Sequence, residues 1–353
     1  MAEPLIWVRA FHFASTISVA GVVFFLAFVG GPAFRPVGKN GRIPAIVCAR
    51  FATIAWVGLA FILVTGAAWL VLQTQQISDL SLAAVFSEGM IWNVLSGTDF
   101  GYGWMARFAL TVLLAGVLYP FDFTKLVTSY WRRGSAVALA AGLVGTLAFA
   151  GHAGAGSGAE GAIHLTADIL HLVAAAAWVG ALVPLAVLLG AARCAHDESS
   201  LVVAREATLR FSTLGIVSVG TLLGTGVVNS WVLAGSVHAL VGTDYGRLLL
   251  VKIALFLVML SIAAVNRLWL TPRLVQHLDS VGSQDALRRL RNNSLIEATV
   301  GAIILAIVGI LGTLPPGLDE EAAWPFAIPL NTVAWAAPGF STRQSCVGNP
   351  DSS

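Results

Sequence analysis

Residues 163–190 read IHLTADILHLVAAAAWVGALVPLAVLLG. A helix needs about 20 apolar residues to cross about 30 Å of hydrocarbon. This stretch supplies them, with its three ionisable side chains, His164, Asp168 and His171, gathered at one end. Seven more stretches meet the same requirement, at roughly 5–29, 47–72, 103–121, 135–151, 211–233, 247–270 and 294–314. No long soluble domain intervenes. The expected fold is all-α: a polytopic membrane bundle of eight transmembrane helices, followed by a mostly extended tail over 315–353.

The composition leads to the same class. Of 353 residues, 57% are hydrophobic and 11% charged, against about 25% charged in an average soluble chain. That is too little charge to cover a water-facing surface of this size, which excludes a soluble globular enzyme. Disorder requires low hydrophobicity and high net charge. A net charge of +2 argues against a nucleic-acid binder. Cys48, Cys194 and Cys346 form no CxxC and no spaced framework. The first 30 residues lack a basic n-region, and their long apolar run carries Arg9 and His12. They are therefore expected to be a retained span, not a cleaved leader.

The basic residues set an orientation. The connections at 30–50, 120–134, 191–210 and 266–293 hold 15 of the 20 Lys and Arg, whereas those at 73–102, 152–162 and 234–246 hold none. Lys/Arg bias in short loops marks the cytoplasmic side, so both termini are expected to be extracytoplasmic.

The chain also repeats itself at an offset of about 160. His12 aligns with His171, Gly21 with Gly180, Arg50-Phe51 with Arg210-Phe211, and Thr65-Gly66 with Thr225-Gly226. Gly97-Thr98-Asp99-Phe100-Gly101 aligns with Gly242-Thr243-Asp244-Tyr245-Gly246, which puts Arg107 against Lys252. The organisation is read as a first four-helix repeat over 1–151, a second over 152–314, and the tail over 315–353. Four spans per repeat give both the same orientation, and in transporters substrate sites tend to lie at such repeat interfaces.

Five of the seven histidines, His12, His152, His164, His171 and His238, fall on or near the outer side. His12 and His171 share a depth of about 12 Å from the outer helix ends. Facing each other, they would hold one metal ion or a haem iron; alternatively each bonds a neighbour on its own helix. His164, Asp168 and His171 lie four and three residues apart, on one helix face. An ionised Asp inside a span costs about 3 kcal/mol at its centre, so Asp168 needs a partner. The candidates are His171, whose tautomer a carboxylate would fix, Arg9 and Lys252. With His152 folded back over the mouth, the cluster His12, His152, His164, Asp168 and His171 is rich in the nitrogen ligands that suit Cu, Zn, Fe or Ni. Asp99 and Asp244 read as helix caps. Arg107 and Lys252 either attract anions or snorkel to the outer headgroups. No catalytic residues are assigned, and the chain is read as not an enzyme.

Several of these residues also carry a family resemblance. The stretch from Asp168 and His171 to Trp178, Gly180 and Leu182 resembles the D-x-x-H…W-x-G-x-L helix of the copper resistance D (CopD) family. Arg210-Phe211-Ser212, Thr225-Gly226, Gly242 to Lys252 and Asn266-Arg267 resemble its conserved domain, and Gly151-His152 fits as well. The match is best over about 140–315, and the first half joins it through the internal repeat. The resemblance implies a bacterial inner-membrane protein of copper homeostasis. It would move copper ions from periplasm to cytoplasm, beside a separate CopC-like periplasmic copper-binding protein. Two alternatives stay open: a haem b electron carrier with His12 and His171 as axial ligands, and a non-transporting membrane receptor for a periplasmic copper carrier.

Overall fold

A computed structural model describes residues 2–37, 42–119, 123–151, 158–195, 197–276 and 280–314. Among them there is no strand. Eight helices are long and apolar enough to cross a membrane. We label them α1 (Ala2–Phe25), α2 (Arg42–Ser78), α3 (Asp99–Leu118), α4 (Tyr130–Gly145), α5 (Gly158–Ala195), α6 (Glu198–Ala234), α7 (Asp244–Val265) and α8 (Ser280–Leu311). The protein is an all-α, eight-span membrane bundle.

Several helices run well past their apolar cores, most of all α2, α5 and α6. Side chains close their ends. Asp197 accepts the Ser200 N–H ahead of α6, satisfying a donor that has no partner within the helix. In the paired G-T-D-[FY]-G turns the capping residues are Thr98 and Thr243, which accept the N–H groups of Gly101 and Gly246 at 3.0 Å. This corrects the assignment of the caps to Asp99 and Asp244. Each Asp instead occupies the first turn, where a carboxylate favours the helix dipole. The last glycine of each turn is needed for packing. A Cβ on Gly101 would overlap the backbone of the short helix Met90–Gly97, and one on Gly246 that of Val237–Gly242.

Two helices pass through a wide π turn, α1 at Leu26–Gly30 and α7 at Asn266–Leu270. In both a proline follows two residues after the turn, Pro32 and Pro272. A proline inside a helix removes an N–H and clashes with the carbonyl one turn back, and the backbone relaxes by widening the preceding turn.

α1 and α5 form the centre. They meet at Gly21 and Gly180, where a Cβ on either would run into the other helix's backbone. In lipid, where apolar burial drives no association, close backbone approach between small residues is a main source of helix–helix attraction. Phe25, Leu26, Phe51, Trp69 and Trp178 fill the interior, while Val64, Val227 and Trp231 are about 70% exposed (67%, 70% and 75%). Large apolar side chains facing outward are what a hydrocarbon solvent requires.

Candidate functional site

Two polar clusters lie inside the bundle, toward the side that the charge pattern assigns to the outside. Each is built around a histidine–threonine pair. His12 on α1 meets Thr65 on α2, with Nδ1 and Oγ1 2.9 Å apart. His171 on α5 meets Thr225 on α6 at the same 2.9 Å. The threonines decide the tautomers. Each hydroxyl has one proton; Thr65 donates it to Phe61 O and Thr225 to Thr221 O. The hydroxyl can therefore only accept from the ring, so Nδ1 carries the hydrogen and Nε2 keeps a lone pair. A neutral imidazole held in this way is a ready metal ligand. His12 is 1% exposed, and its Nε2 is buried without a hydrogen-bond partner.

The surroundings of the two pairs differ. In the first cluster the His12 ring stands edge-on to Trp69, with centroids 5.4 Å apart. Two guanidinium groups lie over that same indole, Arg9 at 5.2 Å and Arg107 at 4.9 Å. Arg9 also donates to Gly312 O and Ala150 O, tying α1 to the residues that follow α8 and α4. Arg107 is buried and donates to the Thr146 hydroxyl and carbonyl. It does not snorkel to the headgroups: Thr146 and the face of Trp69 hold the guanidinium inside the bundle.

In the second cluster Asp168 accepts from the Asn229 amide at 3.2 Å and acts electrostatically on Lys252 and on the Tyr245 hydroxyl. Lys252 is half-buried and acts in turn on His171. Thr225, not Asp168, holds His171 Nδ1. Arg9, the other partner considered for Asp168, is committed to backbone carbonyls. His164 is buried one turn above Asp168 on α5. His152 lies outside the described residues, and His238 is exposed. Asp244 sits at the surface, 3.5 Å from Arg247. At the opposite end of the bundle Cys48 is buried and Cys194 exposed.

In the sequence Thr65 and Thr225 stand out only as matching positions, and their role is visible in the structure alone. The same holds for Trp69 and Asn229, which stand at the same offset of about 160. A further buried polar group on α7 and α8, centred on Glu297, went unnoticed, although an acid within an apolar span is a signal in its own right.

Eight spans with buried polar clusters define a class: polytopic membrane proteins with ionisable side chains inside the bundle. The comparisons narrow it. Residues 205–311 match the family model of copper resistance protein D, and residues 1–162 match that of the copper resistance protein D-like N-terminal domain. The chain is 31% identical over 304 residues to copper resistance protein D of Pseudomonas syringae pv. tomato, which covers 84% of this chain and 93% of that protein. It is 29% identical over 320 residues to inner membrane protein YebZ of Escherichia coli (strain K12), covering 90% and 99% respectively. It is 31% identical over 319 residues to copper transport protein CutJ of Bacillus subtilis (strain 168), spanning 90% of this chain and 54% of CutJ. The chain belongs to the copper resistance protein D family.

Proposed function

We propose that the protein moves copper ions across the bacterial inner membrane, from the outer side to the cytoplasm, as a transporter and not an enzyme. The observation that carries this reading is the pair of threonine-held imidazoles, each with its Nε2 lone pair left for a ligand. Imidazole suits copper. The family to which the chain belongs and the name of its relative CutJ supply the metal.

Copper would enter past His152, His164 and Asp168 and reach His171, with His12 as the corresponding position in the first half. The bundle would be two parallel four-helix repeats meeting at Gly21 and Gly180, with both termini outside. A separate CopC-like protein would deliver the metal at the outer face. Where Asp168 faces the entering cation, its charge favours occupancy; where Arg9 and Arg107 surround His12, theirs opposes it.

Copper accumulation in cells with His12→Ala and His171→Ala variants tests the reading, with the amount of protein in the membrane measured alongside. Reduced accumulation at undiminished protein level is expected. Wild-type accumulation in both variants would overturn it. An absorption spectrum of the purified protein separates the haem alternative, which requires a Soret band lost in the same variants.

A further inference from the structure

Glu297 is the acidic residue in the apolar part of α8, toward the end that the charge pattern assigns to the cytoplasm, and it is 1% exposed. Its Oε1 accepts the side-chain amide of Asn266 at 2.7 Å. The Asn266 side-chain oxygen, Oδ1, accepts in turn the side-chain amide of Asn293, also at 2.7 Å. Asn266 opens the π turn of α7, and its main-chain oxygen takes the Thr271 hydroxyl at 2.8 Å. A widened turn of this kind often marks a functional position. The row of amides ends on the carboxyl group, whose other oxygen, Oε2, is buried with no hydrogen-bond partner.

The ionisable groups of the elements packed around Glu297 are engaged elsewhere or lie far along the helix. Arg267 donates to the Ser212 hydroxyl at 2.6 Å. Arg288 and Arg289 pair with Asp285. Arg291 lies against Gly190 of α5, and Arg273 is exposed. Between His12 and Arg35 the first span has no ionisable residue, nor has α5 between His171 and Arg193, nor α7 between Lys252 and Arg267. A carboxylate at this place would have to bear its desolvation without a counter-charge. A protonated acid avoids that cost, and so does a carboxylate beside a passing cation.

We propose that Glu297, positioned by Asn266 and Asn293, is a proton-binding site in the cytoplasmic half of the bundle. It holds one proton when the pathway is empty and exchanges it for a metal cation arriving from the His171 cluster. In the exchange the O–H bond of the acid breaks and the proton passes to water at the cytoplasmic face. The carboxylate left behind neutralises one positive charge of the metal; no electron moves. The proton site stands on the geometry of Glu297 alone. The exchange rests on the transport reading above.

Infrared difference spectroscopy on the full chain in lipid nanodiscs tests the site. The wild-type protein is expected to show a protonated carboxylic-acid carbonyl band that shifts in D2O and is lost in Glu297→Gln. Asn266→Leu, which removes the amide donor but keeps the acid, should retain the band at a changed frequency. A wild-type minus Glu297→Gln spectrum with no acid carbonyl band at any pH where both proteins stay folded would overturn the proposal.

Proteoliposomes with a pH-sensitive dye inside and copper supplied outside test the exchange. Proton release accompanying copper entry, lost in Glu297→Gln, is expected. Copper entry without proton release in the wild type would overturn the exchange. No copper entry in the wild type at all would reject the transport reading and the exchange with it, leaving the infrared result to decide the proton site.

Discussion

The two histidine–threonine pairs have one geometry and different electrostatic settings. His12 sits against Trp69 with Arg9 and Arg107 stacked on the same ring; His171 sits in a cluster with Asp168, Asn229 and Lys252. The substitutions fall at matching positions: Arg9 for Asp168, Trp69 for Asn229, Arg107 for Lys252. Two guanidinium groups raise the cost of a cation at His12, whereas at His171 a carboxylate offsets the like charge of Lys252. The lesson is that a shared backbone and a shared imidazole do not make two equivalent metal sites. The first cluster ties helix ends together through Arg9, and the second includes a carboxylate as well as a cation, so the proposed copper site would carry less excess positive charge there.

The comparison presupposes that both halves are held as one body where α1 crosses α5. Gly180→Leu should break it outright, because the added side chain meets the backbone around Ile17 and Gly21. The expected result is little or no folded protein recovered in mild detergent, measured by size-exclusion chromatography. Recovery at the wild-type level would mean that the crossing is not needed.

The unequal charge settings lead to the next prediction. His171→Ala should lower copper accumulation by about tenfold or more, as expected for loss of a ligand when even supporting groups are worth about 10–100-fold. His12→Ala should lower it several-fold less. Equal losses, read by metal analysis of cells matched for protein level, would break the contrast. Asp168→Asn should resemble His171→Ala more closely than His12→Ala does.

A smaller effect isolates the threonines. Thr225→Val keeps shape and removes the acceptor that fixes the His171 tautomer, so copper affinity should fall by about tenfold. Thr65→Val should change affinity much less and act on stability instead. Titration calorimetry on the two purified variants compares them directly. Smallest of all, Trp69→Leu removes the ring beneath Arg9 and Arg107. Cation–π contacts are worth about 0.5–2 kcal/mol each, so a lowered melting temperature with copper accumulation near normal is expected. A large loss of accumulation would show that the ring and its two guanidinium groups matter to metal handling as much as the second cluster does.

Much of the fold was legible without coordinates. Apolar run length locates spans because hydrocarbon forces each segment to satisfy its own backbone hydrogen bonds, and this located all eight. The ends were less legible, because helices such as Gly158–Ala195 are longer than the hydrocarbon is thick, so polar residues at their ends do not mark a boundary. The caps were placed one residue late, at Asp99 and Asp244. Asp and Thr are adjacent and both favoured there, and only the turn geometry shows that Thr98 and Thr243 take the free N–H groups.

At the site, the sequence alone identified the residue types and the pairing of positions across the chain. Histidines at matching places, and an acid inside a span, are costly in lipid and so stand out from an apolar background. What they touch was decided by tertiary structure. His12 turns to Thr65, His171 to Thr225, and Arg107 to Thr146. Each of these contacts spans tens of residues and depends on the rotation of one helix against the next. That rotation is set by contacts such as Gly21 on Gly180, where an absent side chain, invisible to any count of charge or hydropathy, lets two backbones meet.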